Sequence, residues 1–97
     1  MSSKPGIAYI TVTADTLVST EPVLLYGAVI LASALGGDAT IYDGHDASSG
    51  RKVITLKGGA TLSTPVEWPQ GLYLGGGLYV DVGSSITEVQ LSYETIE

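Results

Sequence analysis

The twelve residues Val23-Leu24-Leu25-Tyr26-Gly27-Ala28-Val29-Ile30-Leu31-Ala32-Ser33-Ala34 decide the fold, because their length and apolarity suit either a buried helix or a buried strand. The residue types favour strand. Tyr26-Gly27 interrupts the run, Val29 and Ile30 prefer extended backbone, and no acidic residue or periodic polar face marks an amphipathic helix. The run also falls short of the ~20 apolar residues a membrane helix needs, so no span is expected. Gly36-Gly37-Asp38 then predicts a hairpin turn, with residues 39–43 pairing back on the long strand.

Towards the amino end, residues 7–13 read as a strand with Ile7, Tyr9 and Thr11 on one face and Ala8, Ile10 and Val12 on the other, both partly covered. A second short strand, residues 16–19, is stopped by Thr20-Glu21-Pro22, since proline lacks an amide donor and restricts its predecessor. Residues 1–6 are expected to form a flexible arm and residues 7–97 a single domain.

Towards the carboxyl end, the polar stretch 44–50 (GHDASSG) predicts a surface loop. Residues 52–57 alternate, with Ile54 and Leu56 on one face and Val53 and Thr55 on the other, until Gly58-Gly59. Pro65 and Pro69 restrict residues 60–69 to an edge piece or an extended loop. Leu78, Val80 and Val82 share a face opposite Tyr79 and Asp81. Gly83-Ser84-Ser85 then turns into residues 86–96, where Val89, Leu91 and Tyr93 oppose Glu88, Gln90, Ser92 and Glu94. This last pair is expected to be a hairpin with one buried and one wet face. Tyr73 and Tyr79 recur in matching Gly-Leu-Tyr contexts, which suggests a local duplication. The whole predicts an all-β sandwich of about seven to nine strands, with Val29, Ile41, Ile54, Leu56, Leu78, Val80, Val82, Val89 and Leu91 as its core.

Bulk composition bounds the function. The chain of 97 residues is 44% hydrophobic and only 14% charged. With a mean hydropathy of +0.32, surplus apolar surface is expected to go into a partner. Ten acidic residues against four basic ones give a formal net charge of -6, which argues against nucleic acid because phosphate contacts need a clustered positive surface. Arg51, Lys52 and Lys57 form a small patch flanked by acids and read as a charged strand edge that resists aggregation. The absence of cysteine leaves stability to packing or oligomerisation. Met1-Ser2-Ser3-Lys4-Pro5-Gly6 lacks the apolar core of a secretion signal, so synthesis and assembly in the cytoplasm are expected.

Chemistry is sparsely equipped. His45 is the one histidine, whereas a cupin-type metal site needs several imidazoles and a serine triad or zinc site would have to be built around this residue alone. It is expected to be an exposed loop side chain, and the chain to be neither an enzyme nor dependent on a metal or cofactor. Asp38, Asp43 and Asp46 supply hard oxygen ligands of the kind Ca²⁺ takes, but their spacing matches no loop pattern and reads as turn chemistry beside Gly44. Gly75-Gly76-Gly77 leads into a strand rather than a helix with Lys-Ser or Lys-Thr, so it reads as a turn and not as a phosphate cradle. Six tyrosines and one tryptophan suit a sugar-stacking platform, yet each tyrosine lies in or beside an apolar strand, which favours core and interface roles.

Four elements together carry a resemblance: apolar-Tyr-Gly at residues 25–27, Tyr-Asp-Gly within 41–44, Gly-Leu-Tyr-Val at 77–80 and V-x-L-x-Y at 89–93. Over residues 23–94 the chain resembles small β-sandwich virion proteins of tailed bacteriophages. The second Gly-Leu-Tyr unit around residues 74–77 departs from that outline. The resemblance implies a jelly-roll or related sandwich acting as a capsid cement or decoration protein, a homotrimer on the capsid exterior that binds the major capsid protein and has no active site. Aromatic side chains favour such contacts, which makes Trp68, Tyr73, Tyr79 and Tyr26 the candidate interface residues; a core-plugging Trp68 is the competing role. A tail or neck connector and a receptor- or carbohydrate-binding module are the alternatives. The lack of Asn, with Gln70 and Gln90 as the only glutamines, disfavours the sugar binder.

Overall fold

A computed structural model describes residues 7–59 and 63–96. The expected arm at residues 1–6 and the start of the 60–69 segment lie outside them. Among the described residues eight strands follow one another: β1 (Ala8–Val12), β2 (Thr16–Ser19), β3 (Val23–Ala32), β4 (Gly37–Asp43), β5 (Arg51–Gly58), β6 (Ser63–Leu74), β7 (Leu78–Val82) and β8 (Ile86–Thr95). No described residue is helical. The twelve-residue run that opened the question is thus a strand over its first ten positions.

The strands form two four-stranded antiparallel sheets, ordered β1-β8-β3-β6 and β2-β7-β4-β5. Only β4 and β5 are sequence neighbours that also pair. Every other connection crosses from one sheet to the other, and this order is that of an eight-stranded jelly roll. Two expected hairpins are therefore corrected. Residues 39–43 do not pair back on β3: the chain turns over at Ala34-Leu35, held by Gly36 N–H donating to Ser33 O (3.0 Å) and Ser33 N–H donating to Ser85 O (2.9 Å), and enters the opposite sheet. Likewise β7 and β8 lie in different sheets, joined at a corner where the Gly83 amide donates to Asp38 O at 3.0 Å. Gly77, between β6 and β7, has φ of 123°, and a Cβ there would sit 2.6 Å from Ser19 O, so only glycine fits this corner.

The core lies between the sheets. Val23, Leu25, Ala28, Ile30 and Ala32 from β3 meet Ala39 and Ile41 from β4, Leu56 from β5, Leu78 and Val80 from β7, and Val89 and Leu91 from β8. Six of the nine expected core residues are buried, while Ile54 and Val82 pack against the cluster half-buried. Val29 is the exception. A β-bulge between Leu25 and Gly27 puts an extra residue into β3, so the inward phase passes from Val23 and Leu25 to Ala28 and Ile30, and Val29 points outward. The covering expected on both faces of β1 also fails: Val12 is buried, but Tyr9 on the other face is 80% exposed.

Two of the four edge strands carry protective features. β5, one outer strand of its sheet, bears Arg51, Lys52 and Lys57, the charged edge that its sequence predicts. β6, one outer strand of the other sheet, carries Pro65 and Pro69, as an edge strand tolerates, and continues to Leu74 as one element.

Candidate functional site

The outer face of the β1-β8-β3-β6 sheet is built from cross-strand rows. One row reads Tyr9, Ser92, Gly27, Glu67 and the next Thr11, Gln90, Val29, Pro65. In the first row the two central side chains are the smallest, a hydroxymethyl group and a hydrogen, while the outer two are large. The sheet surface is thereby hollowed into a trough of about 350 Å³, lined by both rows together with Tyr26. Gly27 forms its floor: a Cβ there would meet Ser92 Oγ at 3.1 Å and the Val66 carbonyl at 3.4 Å.

The bulge that redirects Val29 also positions Tyr26. Between the Gly27–Glu67 and Leu25–Leu72 pairings, β6 loops out through residues 68–71, and Gly71, at φ 86°, lies so close to the Tyr26 ring that a Cβ would be 3.2 Å from Cε1. The Tyr26 hydroxyl donates to Glu94 Oε1 at 2.9 Å. That bond, then burial and the carboxylate charge, raise the phenol above its ordinary value. Next to the trough, Gln90 Nε2 donates to Glu88 Oε2 at 2.7 Å.

The four candidate interface residues divide. Tyr26 and Tyr73 share this outer face, Tyr73 being 59% exposed and paired with Leu24 across the β3–β6 ladder. Trp68 is half-buried and packs against the core from the looped part of β6. Tyr79 belongs to the other sheet, where its ring meets Tyr42 at 6.2 Å between centroids and 59° between planes. Burial, followed by the charges of Asp15, Asp81 and Asp46, raises the Tyr79 phenol. Tyr9 is the residue that sequence reasoning missed. Its alternation with Ile10 and Val12 placed it on the second face of β1, and only the cross-strand row shows that this face is open.

The groups weighed for metal chemistry do not converge. Asp38 and Asp43 occupy opposite ends of β4, Asp38 with Nζ of Lys57 at 3.7 Å and Asp43 with Arg51 Nη2 at 3.2 Å. Asp43 Oδ1 also accepts the Gly76 amide at 2.6 Å. Asp46 accepts the Ser49 amide (2.7 Å) and hydroxyl (2.8 Å) and the corresponding Ser48 groups, and these bonds lower its pKa. All three behave as turn and edge ligands of the chain itself. His45 lies exposed in the same loop, Nε2 3.2 Å from the Thr20 carbonyl. Among the described residues no group of three or more potential metal ligands comes together.

Comparison of the chain with family models, with curated proteins and with solved structures finds no match.

Proposed function

We propose that the chain is a non-catalytic structural protein of a bacteriophage particle, a capsid cement or decoration protein that attaches as a homotrimer to the major capsid protein on the outside of the head. The observation that carries this reading is the outer face of the β1-β8-β3-β6 sheet, a broad surface on which Tyr9, Tyr73, Leu24, Val29 and Pro65 remain wholly or partly open to solvent around a trough. Aromatic and apolar side chains gathered on one face suit a protein contact that buries them. The resemblance of residues 23–94 to small virion proteins points the same way, and jelly rolls are a recurrent architecture of viral capsid and lectin domains. Fold alone does not decide between those roles.

The test is to delete the gene and heat the particles. A cement protein leaves heads that assemble but release DNA at lower temperature, and intact particles contain it in hundreds of copies. Heads of unchanged stability that fail to join tails or to bind hosts would favour a connector or a receptor-binding module instead.

A further inference from the structure

We infer that the outer edge of β1 pairs antiparallel with β1 of a second copy of this chain, so that two sandwiches join flank to flank. An isologous contact of this kind closes at two copies and is distinct from the threefold contact proposed above. Of the four sheet edges, β5 bears three cations, and β6 has two prolines and loops out through residues 68–71 between its pairings with β3. β2 is four residues long, and its pairing with β7 shifts register between Leu17 and Ser19. β1 alone has no charge, no proline and no shift: its five residues, Ala8-Tyr9-Ile10-Thr11-Val12, pair one for one with β8. Among the described residues nothing pairs with its other side, where the amides and carbonyls of alternate residues point away from the sheet. Groups so arranged are satisfied by another extended strand.

The flank as a whole points to a copy rather than to a lone peptide strand. Across the sandwich β7 faces β8 and β5 faces β6, so β1 and β2 border one flank and β5 and β6 the other. On the β1–β2 flank Ile10 and Val18, which pack against the core, are only half-buried, and Ala8, on the same side of β1 as Ile10, is exposed. A peptide strand adds to one sheet and leaves the other edge open. A two-fold rotation about an axis normal to the sheets brings β1 to β1 and, in the same operation, turns the uncharged β2 edge towards its own copy. The residues of β1 also match themselves. Directly opposed residues of an antiparallel pair share a face, so even positions must oppose even ones and odd positions odd ones. Centred on Ile10, the register sets Ile10 against Ile10, Ala8 against Val12 and Tyr9 against Thr11. The inward side is then apolar throughout, the outward side carries two pairs of aromatic and β-branched residues, and no charge stands opposite another.

The test uses the isolated full chain, which has no cysteine of its own. Sedimentation equilibrium at roughly 1–500 μM should show monomer and dimer in exchange. The β1 amides that turn away from β8 should exchange with deuterium more slowly as the dimer forms. Ile10→Cys should give a disulfide-linked dimer on mild oxidation, since position 10 meets its own copy at a Cα separation of about 4.5–5.5 Å. Ala8→Cys and Val12→Cys should each cross-link poorly alone and well when mixed. Tyr9→Lys with Thr11→Lys, both at exposed positions, opposes like charges and should weaken the dimer at least about tenfold. Tyr9→Glu with Thr11→Lys opposes unlike charges at the same places and should keep it within about threefold of the parent. A monomer at every concentration would overturn the inference, whether its β1 amides are open or protected by the chain's own residues. So would a dimer indifferent to the charge variants, or cross-linking of Ala8→Cys alone in place of Ile10→Cys. A trimer whose β1 amides stay open would overturn it as well and leave the attachment role standing. Dimers of the expected pattern, from a chain whose deletion leaves heads fully heat-stable, would support the pairing and overturn the attachment role alone.

Discussion

Asp81 faces outward from β7 beside Asp15, whose Oδ1 accepts the Val82 amide at 2.8 Å. Burial chiefly raises the Asp81 carboxyl above its ordinary value, reinforced by the Asp15 charge, a hydrogen bond with Asp15 and the Asp38 charge. A carboxyl raised in the folded state binds its proton more tightly there than in the unfolded chain, so this site lowers stability as pH rises from the unfolded value through the folded one. Below about pH 4 it is protonated in both states and the effect vanishes. Asp81→Asn should accordingly raise the urea midpoint at pH 7 and lose that advantage towards pH 3. A variant less stable than the parent at pH 7 would show that Asp81 acts mainly as a hydrogen-bond partner. Sequence alone placed Asp81 on the outer face of its strand, but not its proximity to Asp15, because the β2–β7 pairing that joins them spans more than sixty positions.

At the scale of elements, β3 offers the sharpest contrast, since Val29 and Ile30 are adjacent, both β-branched, and point to opposite faces. Ile30 is fully buried and Val29 lines the open trough. Ile30→Ala should cost about 2–5 kcal/mol and Val29→Ala under about 1 kcal/mol in denaturant unfolding. Equal costs would mean that the bulge at Tyr26-Gly27 does not shift the phase. Face alternation on β7 and β8 was legible in sequence because it is local: Val80 and Asp81, or Leu91 and Ser92, differ enough in polarity to declare their sides. In β3 both faces are apolar, so nothing in the run reveals where one extra residue is absorbed. The pairing of strands was less legible still. Gly36-Gly37-Asp38 and Gly83-Ser84-Ser85 carry the same residues whether the chain reverses within a sheet or crosses to the next, and only the second choice lets β3 and β8 bury their apolar faces against β4 and β7.

The whole molecule presents two unlike outer faces, and the difference bears on the attachment proposed above. On the β2-β7-β4-β5 sheet, Leu17, Tyr79, Tyr42 and Lys52 form one row and Asp81, Thr40 and Thr55 another, so a charge or hydroxyl accompanies every apolar group. On the β1-β8-β3-β6 sheet the apolar and aromatic side chains gather around a trough that Glu67 helps to line, with Glu88 and Glu94 elsewhere on the same face. A partner that buries the second face recovers roughly 25 cal/mol for each Å² of apolar surface removed from water and meets three carboxylates, two of which already accept hydrogen bonds from Tyr26 and Gln90. The same contact on the first face would desolvate charged groups one by one. The proposed attachment should therefore depend on one face only. Tyr9→Glu with Tyr73→Glu should leave the thermal unfolding midpoint close to the parent value, because both side chains are exposed, yet abolish retention on purified particles lacking the native copy. Leu17→Glu, at an exposed position on the other sheet, should be retained as the parent is. Both variants binding equally well, or Leu17→Glu alone being lost, would move the attachment surface to the β2-β7-β4-β5 sheet.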